Sequence, residues 1–320
     1  AGSRVRTVRI QRPDPSALPT AAEFRRLAGV LERHGFLGGS LAIAAPSSSV
    51  MIETVELPPA VSGAPLDDLA RAQLAMMYRV APTTITASAI PLPARRDQGQ
   101  PRSLAVGCRD AELAPVLAAA ETAGLQVGHV TIGGLAAAST DPAALAAAAI
   151  ASSAAGGSRG ASQTGSHVRL LVLLGWQWSD LVVLRDGRLA SARSLPELGL
   201  ESVAEKFERQ GGGDLTPDVE PGTSGPDADA VAERSELVLA YVTRLVAELR
   251  RSIGYVEQEH GPVGSGDMRV LGDGVAVPGL VDRLAEQMRM TVAAEAAPAV
   301  AGVAAVLAAD ARLPWRRNAA

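Results

Sequence analysis

Several residue types are scarce in this chain of 320 residues, and each scarcity excludes a class of site or partner. Cys108 is the single cysteine, so an internal disulfide and a cysteine-based metal site are both excluded. The formal net charge is −4, which gives no basic excess of the kind that binds nucleic acid. We therefore expect no nucleic-acid partner. The neighbours of Cys108 indicate a strand, in which it should be a small buried side chain.

Long apolar runs are scarce as well. The longest, residues 135–155, consists of small side chains interrupted by Asp141-Pro142, so it does not predict a membrane span. The first residues do not have the form of a signal peptide. We therefore expect a cytoplasmic protein. Hydrophobic residues make up 47% of the chain, enough for a large core, and the length favours two domains.

The first half of the chain predicts a small mixed unit. Residues 50–128 are divided by turn and cap signals into a strand, a helix, two strands and a second helix. The helix that follows Pro65 places several apolar residues on one face, and we expect its Met76 and Met77 to pack in the core.

The second half begins after a Ser/Gly/Ala-rich stretch without periodicity, residues 152–166, which predicts a linker. Three strands follow, and Asp186-Gly187 predicts the hairpin turn between the last two. The Gly/Pro/acidic composition of residues 210–232 predicts a flexible loop, and the periodicity of 233–260 predicts a long amphipathic helix.

The most informative pattern is the segment Arg269–Leu280. It predicts a buried strand, a tight Gly272-Asp273-Gly274 turn and then a helix. Backbone N–H groups and a positive helix end beside such a turn suit a phosphate or an adenosine group. The same pattern also serves as a plain connection without a ligand, and both interpretations stay open.

The order of these motifs resembles the actin-like ATPase superfamily, and most closely the PilM proteins of type IV pilus assembly. The cytoplasmic domain of GspL and the division protein FtsA are more distant relatives. Arg188–Leu195 resembles a hairpin of the family's second lobe, and Glu248–Tyr255 resembles its "E-I-R-R-S-L-x-Y" helix. Arg269–Leu280 resembles the family's adenosine motif. The resemblance covers nearly the whole chain.

This resemblance implies an α/β protein with an actin-like (ribonuclease H-like) two-lobed fold and a small α+β subdomain inserted in the first lobe. The first lobe comprises 1–49 and 129–151 and lacks its first strand, and the inserted subdomain comprises 50–128. Residues 152–166 are the linker, and 167–320 form the second lobe.

The resemblance also assigns residues to a nucleotide site. Gly2 and Ser3 match the family's first phosphate hairpin, and Gly175 matches the second. The remaining matches lie in the long helix and in the adenosine turn: Glu248, Arg251, Ser252, Gly272, Asp273 and Gly274. ATP is the cofactor that these matches imply, and Mg²⁺ accompanies it only when ATP binds.

The second hairpin departs from the family pattern. It reads Leu173-Leu174-Gly175-Trp176-Gln177-Trp178, and Leu173 stands where the family has an Asp. An apolar side chain cannot anchor magnesium-bound water, so we expect hydrolysis to be severely impaired or absent and assign no catalytic residue. Trp176 and Trp178 should crowd the turn.

The resemblance therefore implies a scaffold of a type IV pilus or type II secretion platform at the inner face of the cytoplasmic membrane. A cleft between the first-lobe subdomains would receive the N-terminal peptide of a PilN-like bitopic membrane protein. Two alternatives stay open: an active ATPase or sugar-kinase-like enzyme, and an FtsA-like filament former at the membrane. The enzyme needs carboxylates in the interlobe cleft, and the filament former needs a membrane-targeting helix.

Overall fold

The structure is a computed structural model that describes residues 18–35, 40–45, 50–93, 100–140, 166–209 and 228–295. The chain divides into two compact units. The described residues up to 140 belong to the first unit, and those from 166 to 295 belong to the second. Among these described segments, no helix has the length and apolar character needed to cross a bilayer.

The first unit contains a three-stranded antiparallel sheet in the order β2-β4-β3. Its strands are β2 (Val50–Glu56), β3 (Ile85–Pro91) and β4 (Arg102–Arg109), and helix α2 (Leu66–Tyr78) covers one face. The buried contacts between sheet and helix come from side chains at alternate strand positions, as a half-buried strand requires. They include Met51, Val55, Ile85 and Ala105 on the sheet and Ala70 and Leu74 on the helix.

The rest of the first unit pairs β1 (Ser40–Ala44) in parallel with β5 (Gln126–Thr131). Helices α1 (Ala21–Arg33) and α3 (Asp110–Thr122) pack beside this pair through a small apolar cluster, and α4 (Gly133–Thr140) follows. The predicted capping box is confirmed, because Thr20 Oγ1 accepts from the Glu23 N–H over 3.3 Å. Cys108 is buried against this part of the unit, as expected.

The second unit is built on a five-stranded sheet in the order β10-β9-β6-β7-β8. The strands are β6 (Ser166–Leu174), β7 (Ser179–Arg185), β8 (Arg188–Leu195), β9 (Val263–Gly272) and β10 (Thr291–Glu295). Strands β6, β9 and β10 run parallel, whereas β7 and β8 form antiparallel hairpins. An ion pair joins β6 to β9, with Arg169 Nε donating to Asp267 Oδ1 over 2.8 Å.

Three helices cover one face of this sheet: α5 (Glu201–Arg209), α6 (Ala228–His260) and α7 (Leu280–Met288). Their buried side chains form one apolar cluster with Leu170, Val172 and Leu174 of the central strand. Since alternate residues of a strand face opposite sides, Leu171 and Leu173 lie on the other face, where both are buried. Phe207 and Leu245 are fully buried in the cluster.

The structure corrects several predictions. Met76 and Met77 are 69% and 49% exposed, because Ala70, Leu74 and Ala75 form the buried stripe of α2 instead. Helix α6 begins at Ala228, so the last residues of the predicted loop 210–232 are helical, and 210–227 lie outside the described residues. The predicted linker also lies outside them except for Ser166, which begins β6, and so do the first hairpin and the C-terminal tail. The domain boundaries stay a prediction.

Candidate nucleotide site

Two of the predicted glycine turns lie side by side. Strands β6 and β9 are parallel neighbours, and their last residues, Leu174 and Gly272, are register partners. The turn after β6 begins at Gly175, and the turn after β9 is a short 3-10 segment, Asp273–Ala276. Both turns therefore leave the sheet at the same edge, at the carboxyl ends of two parallel strands, where ligands commonly bind in such sheets.

Close packing explains why the turn after β9 has glycine at both 272 and 274. Gly272 has φ 94°, and a Cβ there would lie 2.6 Å from the carbonyl oxygen of Leu174. A Cβ on Gly274 would lie 2.6 Å from the Leu174 side chain. The left-handed conformation falls on Gly272 and not on Asp273, so the carboxylate at 273 needs no unusual backbone. Packing against one leucine is a sufficient reason for the glycine pattern, without a ligand.

Backbone hydrogen bonds fix the turn after β6. The N–H of Gly175 donates to the Trp178 carbonyl over 2.9 Å, which closes the turn. The N–H groups of Leu200 and Glu201, at the start of α5, donate to the carbonyls of Gly175 (3.2 Å) and Trp176 (2.7 Å). The donors that begin this helix are thereby satisfied by the turn and not by an anion.

Gly199 allows the start of α5 to lie against the turn after β6. A Cβ at position 199 would lie 2.2 Å from the backbone carbonyl of Gln177, closer than any real contact. Next to it, Ser179 Oγ and Tyr241 Oη both donate to the Leu198 carbonyl, over 2.6 and 2.9 Å. Burial raises the pKa of Tyr241 to about 12, so its hydroxyl remains a donor. Sequence reasoning missed this segment entirely.

The sequence resemblance matches Leu173 to an Asp of the actin-like family, and the structure shows the surroundings of this leucine. The side chain is 7% exposed and points away from the main core cluster, since its neighbours Val172 and Leu174 belong to that cluster. Its register partner on β7 is Asp180, so the two side chains lie on the same face of the sheet. Asp180 is 2% exposed. Sequence reasoning missed Asp180, because only the strand register brings it beside Leu173.

The two tryptophans of the turn have different surroundings. Trp176 packs against the main core cluster, so it does not crowd the turn as predicted. One ring atom of Trp178 lies 3.9 Å from the place of a Cβ on Gly175, so the ring packs beside that glycine. One of the two predicted obstructions is thus present.

The residues predicted on the long helix form a second group. Glu248 Oε1 is paired with Arg251 Nη1 over 2.5 Å, and Ser252 Oγ donates to the Glu248 carbonyl over 3.0 Å. Arg193 of β8 joins them, with Nη1 3.5 Å from Glu248 Oε2 and 3.4 Å from Ser252 Oγ. The structure therefore brings together Glu248, Arg251 and Ser252 of the predicted set, and adds Arg193; their role in binding a nucleotide stays a prediction. Gly2 and Ser3 lie outside the described residues.

These residues do not fit the metal and phosphate part of an ATP site. Leu173 offers no oxygen to magnesium-bound water, and the ring of Trp178 packs beside Gly175, the glycine that would approach phosphate. In the part of the chain that the structure describes, His, Cys, Asp and Glu side chains form no group of three or more that could hold a metal ion.

No family model and no curated protein matches the sequence. Among solved structures, the chain is similar to the "PilM-PilN type IV pilus biogenesis complex", with a TM-score of 0.62 at 18% identity. The match covers 93% of this chain and 90% of that chain. The chain has the actin-like fold. The fold predicted from the sequence is confirmed.

Two other solved structures show a weaker likeness. One is the cytoplasmic domain of EpsL, an inner-membrane component of the type II secretion system of Vibrio cholerae. The two chains are 13% identical with a TM-score of 0.35, and the match covers 70% of this chain and 82% of that chain. The other is the ethanolamine utilization protein EutJ from Carboxydothermus hydrogenoformans, at 15% identity and TM-score 0.38 over 60% of each chain. Neither likeness is close enough to support a conclusion about this chain.

Proposed function

We propose that this chain is a scaffold of a type IV pilus or type II secretion assembly platform. The observation that carries the proposal is the similarity to the PilM-PilN structure, which extends over 93% of this chain and 90% of that chain. A likeness of this extent includes the inserted sheet β2-β4-β3 as well as the five-stranded sheet, so it is not limited to one common motif.

The second part of the proposal is that the scaffold does not hydrolyse ATP. Leu173 supports it, because this buried apolar side chain stands beside the turn where a carboxylate would have to hold magnesium-bound water. Any ATP that binds would then be a structural ligand, and Mg²⁺ would enter only with it. A ligand that binds one conformation more tightly by a few kcal/mol is enough to shift a population without turnover.

The third part concerns the partner. We expect a PilN-like bitopic membrane protein whose N-terminal peptide binds the first unit, so that this chain is held at the inner face of the cytoplasmic membrane through its partner. The net charge of −4 fits a chain that meets a basic segment, and it gives no support for nucleic acid.

Co-expression tests this function. The full chain is produced together with a PilN-like bitopic protein from the same organism, and the membrane fraction is solubilised in mild detergent. We expect the two proteins to copurify in a fixed ratio, and deletion of the partner's cytoplasmic N-terminal peptide to abolish copurification. Copurification that survives this deletion would exclude the peptide as the site of contact. Failure of the two intact proteins to associate would contradict the scaffold role.

A further inference from the structure

The room beside the glycines of the turn after β9 is taken by the last residues of β6. A Cβ on Gly272 would lie 3.1 Å from Cδ1 of Leu173 and 2.6 Å from the carbonyl oxygen of Leu174. A Cβ on Gly274 would lie 2.6 Å from Cδ1 of Leu174. In a phosphate-binding turn, glycine leaves such room to the ligand, so that the backbone can approach phosphate. Here two consecutive leucines of the chain occupy it.

The turn after β6 is closed by one of its own residues. A Cβ on Gly175 would lie 2.7 Å from the carbonyl oxygen of Trp178, and the Gly175 N–H donates to that same oxygen over 2.9 Å. Turns that bind phosphate direct backbone N–H groups at the ligand. At Gly175 both the N–H and the room beside the glycine are used within the turn, and the ring of Trp178 packs next to them.

The positive end of helix α5 is used in the same way. The N–H groups of Leu200 and Glu201 donate to carbonyls of the turn after β6. The Glu201 side chain lies in the first turn of the helix, where a carboxylate is stabilised by the helix dipole. An anion that approached this end would find two donors already bonded and a negative charge already in place.

The charges of the predicted site also disfavour phosphate. Asp273 is the first residue of the turn after β9, so a triphosphate bound there would lie beside a carboxylate. The arginines of the second group, Arg193 and Arg251, both pair with the carboxylate of Glu248. Their charge is therefore balanced within the chain.

We infer that this edge of the sheet is a structural contact between the ends of β6 and β9 and the start of α5, closed to nucleoside triphosphates by Leu173 and Trp178. The inference goes beyond the proposed absence of hydrolysis, because it excludes ATP even as a structural ligand. One consequence rests on the proposed function: the scaffold binds its partner without nucleotide. The glycine pattern is accounted for by the packing of the two leucines.

The first test titrates the full chain with ATP and Mg²⁺, followed by calorimetry and by tryptophan fluorescence. Trp176 and Trp178 lie in the turn itself and report directly on a ligand bound there. We expect no saturable signal up to about 1 mM ATP, and no rise in the midpoint of thermal unfolding with about 5 mM ATP. Saturable binding with a Kd below about 1 mM would overturn the inference.

Two variants test whether these two side chains close the site. Leu173→Asp combined with Trp178→Ala supplies a carboxylate and removes the ring, and it should bind ATP with Mg²⁺ at least about tenfold more tightly than the limit set for the parent. The matched control, Leu173→Asn with Trp178→Ala, has a side chain of the same size without the charge and should show no magnesium-dependent gain. Circular dichroism checks that each variant is folded. A folded Asp variant without this gain would overturn the assignment, and the parent titration decides where the buried charge prevents folding.

The outcomes separate this inference from the proposed function. ATP binding without phosphate release would overturn the inference and leave the non-hydrolysing scaffold intact. Copurification with the PilN-like protein should be unchanged when apyrase removes nucleotide from the extract, and copurification that requires ATP would also overturn the inference. If the two proteins do not associate at all, the scaffold role fails, whereas the titration still decides whether the edge is closed.

Discussion

The contact between Gly199 and the turn after β6 yields a quantitative prediction for Gly199→Ala. The added Cβ would lie 2.2 Å from the Gln177 backbone carbonyl, and a backbone atom cannot move aside like the end of a flexible side chain. Overpacking of this kind costs roughly 1–3 kcal/mol. Separating the segment from the turn also strains the hydrogen bonds of Leu200 and Glu201, each worth about 1 kcal/mol. We expect a total loss of about 3–5 kcal/mol in the free energy of unfolding.

The backbone of Gly199 has φ −74°, so strain in the dihedral angles does not contribute and the loss is steric. The matched control is Gly254→Ala in α6, where a Cβ meets nothing within 4 Å. There the substitution should stabilise the protein by about 0.5–1 kcal/mol, because alanine favours a helix interior. Urea unfolding followed by circular dichroism and by tryptophan fluorescence measures both. A Gly199→Ala variant within about 0.5 kcal/mol of the parent would refute the described packing of the turn.

Two further predictions concern titrating groups. Removal of the buried hydroxyl in Tyr241→Phe should cost about 1–2 kcal/mol. Because the folded pKa of Tyr241 is raised to about 12, stability should also fall as the pH rises from about 10 to 12, and the variant should lose this dependence in alkaline urea titrations. Hydrogen bonds from Arg169 lower the pKa of Asp267, so its contribution is present above the unfolded pKa of about 4 and is lost as pH falls through the folded value. Asp267→Asn should flatten the acid limb of the stability profile, and an unchanged limb would contradict the pairing.

Local signals predicted much of the fold. The Asp186-Gly187 turn is an example, since both residues adopt positive φ, 50° and 73°, as this hairpin type requires. Helix α5 was missed although Val203 and Phe207 have helical spacing, because a short charged segment after a proline reads equally well as a loop. Met76 and Met77 were wrongly predicted to be buried. Helix α2 carries apolar residues on more than one face, so periodicity alone could not identify the buried face.

The candidate site was less accessible from the sequence. The resemblance identified the glycine turns and Leu173, which depend on local motif order. Arg193 and Asp180 depend on strand register: Arg193 reaches Glu248 from another strand, and Asp180 lies beside Leu173 across a hairpin. Gly199 depends on a contact with Gln177, which lies in a separate turn earlier in the chain. None of these three leaves a periodic or turn signal that a single sequence could reveal.

The central proposal is that this chain with the actin-like fold does not hydrolyse ATP, because Leu173 stands where the resemblance expects an Asp. Steady-state phosphate release by the purified full chain, with ATP and Mg²⁺, tests it most directly. We expect release that is indistinguishable from buffer and unchanged in Asp180→Asn. Saturable, magnesium-dependent release that Asp180→Asn abolishes would contradict the claim, since it would show that the carboxylate beside Leu173 serves in place of the missing acid.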